Sequence, residues 1–365
     1  MKILQLIQKP QLRGAEIFAS QLSTRLVSMD HEVLMVCLTT GTATLPFSGT
    51  ITYLNRPIAR RLVDIAGWKQ LSDLISQFQP DILQANAGDT LKFAVFSKLI
   101  FRWNTPIIFR NANKVSDFID TKPKLYFNTF LARQVAHVIS VSELCRLDFM
   151  KTYNIDQSKV TSVPIGIELK QENHPVPDDL KSFFEGGKIL VHVASFVPEK
   201  NHAGLVRMVK LLVDRGIDIR LVMIGDGRLR KSIQQQVETL NLTQYIRLTG
   251  YRTDVLTIMS HAHAFVLPSL IEGLPGVILE AMYSRTAVVA NDVGGISEVV
   301  KPGVTGWLVK AGEEEAFTHA IEEALHAPNG EAIKENAYTM VSHEFDNRMI
   351  AKRFMNVYER LINHN

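Results

Sequence analysis

Short aliphatic runs recur along this chain, and each is followed by a longer segment whose apolar residues fall three or four apart. Lys2 to Leu6 and Glu32 to Leu38 are two such runs, and between them Phe18, Leu22 and Leu26 mark one face of a helix over Glu16 to Ser28. Asp81-Ile-Leu-Gln, Pro106-Ile-Ile-Phe, His137-Val-Ile-Ser and Val160-Thr-Ser-Val-Pro continue the series, separated by helical patterns such as Leu91 to Phe101. Strands that alternate with helices can only be joined by crossovers, which predicts an α/β class with a parallel, doubly wound sheet.

The alternation is interrupted once. Between Glu168 and Gly187 the chain reads Gln171-Glu-Asn-His-Pro-Val-Pro-Asp-Asp and then Gly186-Gly187, without a strand pattern. The pattern then restarts with runs at Lys188 to Ser195, Ile219 to Ile224, Ile246 to Thr249, Ala264 to Pro268 and Ala287 to Ala290. Helical spacing lies between them around Ala203 to Arg215, around Arg228 to Leu240 and from Pro275 onward. The expected organisation is a domain over 1–168, a linker over 169–187, a second doubly wound domain over 188–345 and a helix over 346–365. In that last segment Ile350, Phe354, Val357 and Leu361 form an apolar stripe. A length of 365 residues accommodates two ordinary domains, and no internal sequence repeat relates the halves.

Composition narrows the function. With 46% apolar and 21% charged residues the chain is globular, and its two cysteines, Cys37 and Cys145, form neither a disulfide framework nor a zinc motif. A reducing compartment fits. The first residues hold too short an apolar run for a signal peptide, and no apolar stretch approaches the roughly 20 residues of a spanning helix. The expected location is cytoplasmic, with membranes met only from the inner surface. The net charge of +3 gives no argument for nucleic acid, but it is unevenly placed. Lys and Arg outnumber Asp and Glu by 19 to 13 over residues 1–168, whereas the rest has 21 against 24.

The densest chemistry lies in Pro268-Ser-Leu-Ile-Glu-Gly-Leu-Pro-Gly-Val-Ile-Leu-Glu-Ala-Met282, where Glu272 and Glu280 stand eight residues apart across a glycine-rich entry to a helix. Eight helical residues span about 12 Å, roughly the distance from the ribose of a nucleotide diphosphosugar to its hexose. Backbone N–H groups of Gly273, Leu274 and Gly276, with the positive helix end, suit a diphosphate between them. A solvated loop carboxylate at 272 and a helix-surface one at 280 is the other reading that these residues allow. In Val191-His-Val-Ala-Ser-Phe-Val-Pro-Glu-Lys-Asn-His202, Lys200 follows a strand and precedes a helix, a place where a lysine meets phosphate as a point charge or is simply solvated.

Taken with Ile224-Gly-Asp-Gly-Arg228, Leu248-Thr-Gly-Tyr-Arg252, Asp292-Val-Gly-Gly-Ile-Ser-Glu298 and Gly306-Trp-Leu-Val309, these segments resemble the second domain of the retaining glycosyltransferases of family 4, the group 1 glycosyl transferases. Those enzymes have two Rossmann-like domains facing a cleft, the GT-B fold. Six motifs agree in order from about Leu190 to Val309. The first half is similar more loosely, through Arg13-Gly-Ala-Glu16, Asp81 to Gln84, Val138-Ile-Ser-Val-Ser-Glu143 and Val163-Pro-Ile-Gly-Ile167, and Phe345 to Leu361 resembles the terminal helix that crosses back to the first domain.

The resemblance implies transfer of a hexose-type sugar from a nucleotide diphosphosugar, of UDP or GDP type, used as co-substrate without any bound cofactor. It places Glu280 on the ribose hydroxyls, Glu272 beside the transferred sugar, and Gly273, Leu274, Pro275 and Gly276 against phosphate and sugar. Lys200 then binds the diphosphate, Gly225 belongs to the donor loops, and the turn of Tyr251 and Arg252 reads the base. Gly14 becomes the close-approach glycine of the first domain, although Arg13 stands where the family has a second glycine, so a plain loop glycine is the rival reading. Ser195 occupies a donor-site position that is commonly arginine in the family. The family's acceptor-side histidines are absent, and Arg110 and Asn86, each following a strand, are the expected substitutes.

No Asp-x-Asp occurs, so no metal is expected, and leaving-group charge falls to Lys200, the helix end and backbone N–H groups. Gly225-Asp-Gly227 is a weak dinucleotide signature, because Arg230 fills its third glycine position. A sugar-nucleotide epimerase of the same fold and a non-catalytic sugar-nucleotide-binding protein are the alternatives in function. The expected acceptor is an envelope glycan or a lipid-linked sugar. Lys92 to Phe130 interleaves cations with aromatics, a mix suited either to an anionic membrane surface or to buried helix faces with solvated charges.

Overall fold

The computed structural model describes residues 1–41, 43–57, 63–169 and 174–363. By their contacts the residues form two compact units, Met1–Glu168 with the chain from Asp346 onward, and Leu169–Phe345.

The first unit runs β1 (Lys2–Ile7), α1 (Gly14–Val27), β2 (Glu32–Cys37), β3 (Thr50–Tyr53), α2 (Ile65–Phe78), β4 (Ile82–Ala85) and α3 (Gly88–Phe101). It continues through β5 (Ile107–Asn111), α4 (Lys122–Arg133), β6 (His137–Ser140), α5 (Glu143–Tyr153) and β7 (Val160–Ser162). All seven strands are parallel, in the order β3-β2-β1-β4-β5-β6-β7. Helices cover both faces, so the inner strands are buried on both sides, which is why they read as continuous apolar runs. Strand β3 escapes the sequence reading because its four residues, Thr-Ile-Thr-Tyr, lie on the sheet edge and none is fully buried.

The second unit contains α6 (Lys181–Phe184), β8 (Lys188–Val193), α7 (His202–Asp214), β9 (Ile219–Ile224), α8 (Arg230–Thr239), β10 (Ile246–Gly250) and α9 (Val255–Ser260). There follow β11 (Ala264–Leu267), α10 (Gly276–Tyr283), β12 (Ala287–Asp292), α11 (Ile296–Val299), β13 (Trp307–Lys310), α12 (Glu314–His326) and α13 (Gly330–Glu344). Its six parallel strands are ordered β10-β9-β8-β11-β12-β13. Of the segment read as a linker, residues 170–173 lie outside the described residues. The rest is partly built into this unit, since Phe183 is buried beneath the guanidinium of Arg247, 4.9 Å from its ring, and Arg247 Nη1 donates to the Asp179 carbonyl at 2.7 Å.

The last helix, α14 (Asn347–Asn363), belongs to the first unit. Its apolar stripe lies on α1, with Phe354 and Phe18 ring centroids 5.7 Å apart. The chain is pinned where it enters. The Asn347 amide donates to the Ile167 carbonyl at 3.1 Å, its side chain donates to Glu168 at 3.0 Å, and Glu168 pairs with Arg25.

Candidate functional site

In each sheet the chain reverses direction of growth once, between β1 and β4 and between β8 and β11. The carboxyl edge beside such a reversal is the usual ligand site of doubly wound sheets.

In the second unit this edge holds most of the residues singled out by sequence. After β8 the chain makes a 3-10 turn over Pro198–Lys200, and Asn201, in the left-handed region at φ 52°, caps α7 by accepting from the Gly204 amide at 3.3 Å. That turn is tied to the loop after β11, because the Leu270 amide donates to the Glu199 carbonyl at 2.8 Å. Lys200 Nζ reaches Glu272 Oε1 at 2.5 Å, with the carboxylate buried and the lysine partly exposed. Two residues 72 apart in sequence thus form an ion pair across the switch.

The Glu272 loop is itself held in place by the turn after β12. Gly294 has φ +57°, and a Cβ there would lie 2.1 Å from the Glu272 carbonyl oxygen. The neighbouring Gly295 amide donates to the Gly273 carbonyl. Gly294 of Asp292-Val-Gly-Gly is thereby explained by a close backbone approach. Leu274 is buried, Pro275 is extended, and α10 begins at Gly276 without a side-chain cap. Only the Gly276 to Glu280 part of the interval is helical, which corrects the estimate of about 12 Å that assumed eight helical residues. Glu280 keeps a solvent-facing side yet is densely surrounded by protein, and burial, with no basic partner among the described residues, lifts its pKa to about 7.

Gly225, at φ +134°, would bring a Cβ 2.0 Å from the Ala194 carbonyl oxygen. The Phe196 amide donates to the Asp226 carbonyl at 2.9 Å and the Leu229 amide to the Phe196 carbonyl at 3.1 Å, so the Gly-Asp-Gly loop sits directly on Ala194 and Phe196, which flank the half-buried Ser195. Tyr251 is 54% exposed. The Arg252 guanidinium is held by Asp254 at 2.6 Å and Asp179 at 2.7 Å, which raises its pKa. Sequence reasoning missed the support beneath the Lys200 turn. Buried His202 stacks on Phe196 with ring centroids 4.1 Å apart and packs edge-on to His192, and burial drives their pKa values down to about 2 and about 4.

Arg110 and Asn86 belong to the first unit, Glu272 and Lys200 to the second, and both Arg110 and Asn86 are buried. Asn86, at the β1/β4 switch, donates to Gln5 Oε1 at 2.9 Å, while Gln84 donates to Asn86 at 3.0 Å and accepts from the Tyr358 hydroxyl at 2.6 Å. This network explains polar residues inside fully buried strands and was invisible in sequence, since Tyr358 comes from α14. The Arg110 guanidinium lies 4.4 Å from the Phe18 ring centroid, and among the described residues its Nε and Nη1 have no hydrogen-bond partner. Burial pushes its pKa down to about 10, opposed by nearby Glu16, whose own carboxyl is raised by burial. Gly14 starts α1 in an ordinary conformation with nothing within 4 Å of an added Cβ, so nothing in this unit demands glycine there.

Residues 12–171 match the family described as Glycosyltransferase Family 4, and residues 179–340 that described as Glycosyl transferases group 1. A relative from Escherichia coli, UDP-Gal:alpha-D-GlcNAc-diphosphoundecaprenol alpha-1,3-galactosyltransferase, is 23% identical over 88% of this chain and 87% of its own length. Among solved structures, HepE of Anabaena in complex with UDP and glucose superposes with a TM-score of 0.84 at 19% identity, covering 99% of this chain and 100% of that one. Sucrose-phosphate synthase from Thermosynechococcus elongatus superposes with a TM-score of 0.85 at 18% identity, over the whole of both chains.

Proposed function

Because the chain belongs to the group 1, family 4 glycosyltransferases and has their GT-B fold, we propose that it moves a hexose-type sugar from a nucleotide diphosphosugar to an envelope-glycan or lipid-linked acceptor, retaining anomeric configuration without a metal. The observation that carries this reading is the Lys200–Glu272 pair at the β8/β11 switch, with Glu280 on the adjoining helix. Lys200 is the cation placed to take the charge that develops on a departing diphosphate, and the uncapped start of α10 adds backbone donors. Glu272 is placed to accept hydrogen bonds from the sugar once Lys200 turns to phosphate. Glu280 serves the ribose hydroxyls, and the Tyr251–Arg252 turn serves the base. Arg110, Asn86 and Gly14 are assigned to the side of the first unit.

A lipid-linked acceptor is favoured by the diphosphoundecaprenol substrate named for the Escherichia coli relative and by the surface of the first unit. Phe93 and Trp103 are buried, so they cannot insert into lipid. Helix α4 instead exposes Tyr126 (72%), Phe127 and Phe130 beside Lys122 and Lys124, an aromatic and basic face suited to peripheral attachment at the inner leaflet. None of the described helices is long and apolar enough to cross a membrane.

Turnover of labelled UDP-sugars and GDP-sugars with undecaprenyl-diphosphate-linked acceptors tests the reading. Product with the α-linkage of the donor retained, formed equally in excess chelator, is expected. Inversion, or loss of activity restored by magnesium or manganese, rejects the corresponding part.

A further inference from the structure

The loops at the β8/β11 switch are poor in positive charge for an anionic ligand. Residues 194–200 and 268–280 contain Glu199, Glu272 and Glu280 against one cation, Lys200, and that cation is already paired with Glu272. A nucleotide diphosphosugar adds about two negative charges to this edge. Even if Lys200 turns wholly to the phosphates, it releases a buried Glu272 carboxylate, so the exchange by itself brings little net attraction.

The next loop along the same edge, with the first residue of α8, holds Arg228 and Arg230 against Asp226. The Gly225–Leu229 loop rests directly on the β8 turn through the Phe196–Asp226 and Leu229–Phe196 backbone bonds, and its two glycines permit the contact. Arg228 lies between Asp226 and Leu229, which bond to the backbone of Phe196, the residue after Ser195, and neighbouring strands of such a sheet are only about 4.8 Å apart. Asp226 is occupied, since Oδ1 accepts from the Gly227 amide at 2.7 Å and Oδ2 lies 3.6 Å from Arg230. Arg252, one strand further on, is held by two aspartates. Arg228 is exposed and, among the described residues, has no hydrogen bond or ion pair.

We propose that Arg228 is a donor-binding residue that supplies the second positive charge to the diphosphate, reaching over the neutral Ser195 from the loop after β9. The proposal rests on the donor reading above and extends it to a residue of a different loop. A guanidinium offers two parallel donors to phosphate oxygens, whereas Lys200 offers a point charge, so the two divide the work of orienting and neutralising.

Calorimetric titration of the full chain with UDP, GDP, uridine and guanosine decides it. Arg228→Ala should weaken the better-bound nucleoside diphosphate about 10-fold or more and leave the corresponding nucleoside unchanged, while Arg228→Lys keeps part of the affinity. Unchanged diphosphate affinity in Arg228→Ala, with wild-type binding intact, overturns the proposal alone. An equal fall for nucleoside and diphosphate also overturns it, because the residue would then act through the loop's shape. Failure of the wild-type chain to bind either diphosphate overturns the donor reading and this proposal with it.

Discussion

A carboxyl enclosed by protein without a basic partner holds its proton close to neutrality, and Glu280, at about 7, is such a group. Its ordinary value is 4.5, so the folded chain binds this proton more tightly than the unfolded one. The stability linked to Glu280 is therefore complete below about pH 4.5 and is lost as pH rises through 7. Ribose hydroxyls donate best to the ionised form, so donor affinity should rise over the same interval. Glu280→Gln is expected to flatten both dependences, read from melting temperature and donor Kd between pH 5.5 and 8.5. A Gln variant that keeps the wild-type slopes would assign the titration to another group. Lys200 and Glu272 were legible as members of local motifs, but their pairing was not, because 72 residues separate them and only the sheet order makes them neighbours. The same holds for Tyr358, whose hydroxyl reaches Gln84 from the far end of the chain.

At the scale of elements, the site is a set of loops that hold one another by backbone contact. The turn after β12 supports the Glu272 loop, the Gly-Asp-Gly loop supports the β8 turn, and the loop after β11 is bonded to Glu199. Gly294→Ala should therefore do two things. A left-handed residue forced 2.1 Å from a carbonyl oxygen costs stability, on the order of 1–3 kcal/mol, and it displaces Glu272 from Lys200. The expected result is a lowered melting temperature with kcat reduced more than nucleotide affinity. A variant that melts lower yet turns over normally would show that the turn stabilises the loop without setting its geometry. Long, strongly patterned strands and helices such as β8, β9, α7 and α14 could be read from spacing alone, whereas β3 and the one-turn α6 could not. Short elements on an edge or in a connection carry too few buried positions to impose a period.

For the molecule as a whole, the basic excess of residues 1–168 and the exposed aromatics of α4 lie in one unit. If that face meets anionic lipid, the full chain should co-sediment with vesicles containing phosphatidylglycerol, lose binding at high salt, and ignore neutral vesicles. Tyr126→Ser combined with Phe130→Ser should weaken the association about 10-fold by removing the apolar contribution. Equal, negligible sedimentation with both vesicle types would leave the aromatics as ordinary surface residues and favour an acceptor in solution. The sequence by itself determined the class of fold and the segments of the candidate site, because strand and helix periods, and the glycine-rich turns between them, are local consequences of burying one face of each element. It also supplied the family's motifs in their order. Only the tertiary structure decided which distant residues share a charge, which aromatics of Lys92 to Phe130 are buried, and why polar residues occupy fully buried strands. Those outcomes depend on strand order and on the return of α14 to the first sheet, and neither is encoded within reach of a local pattern.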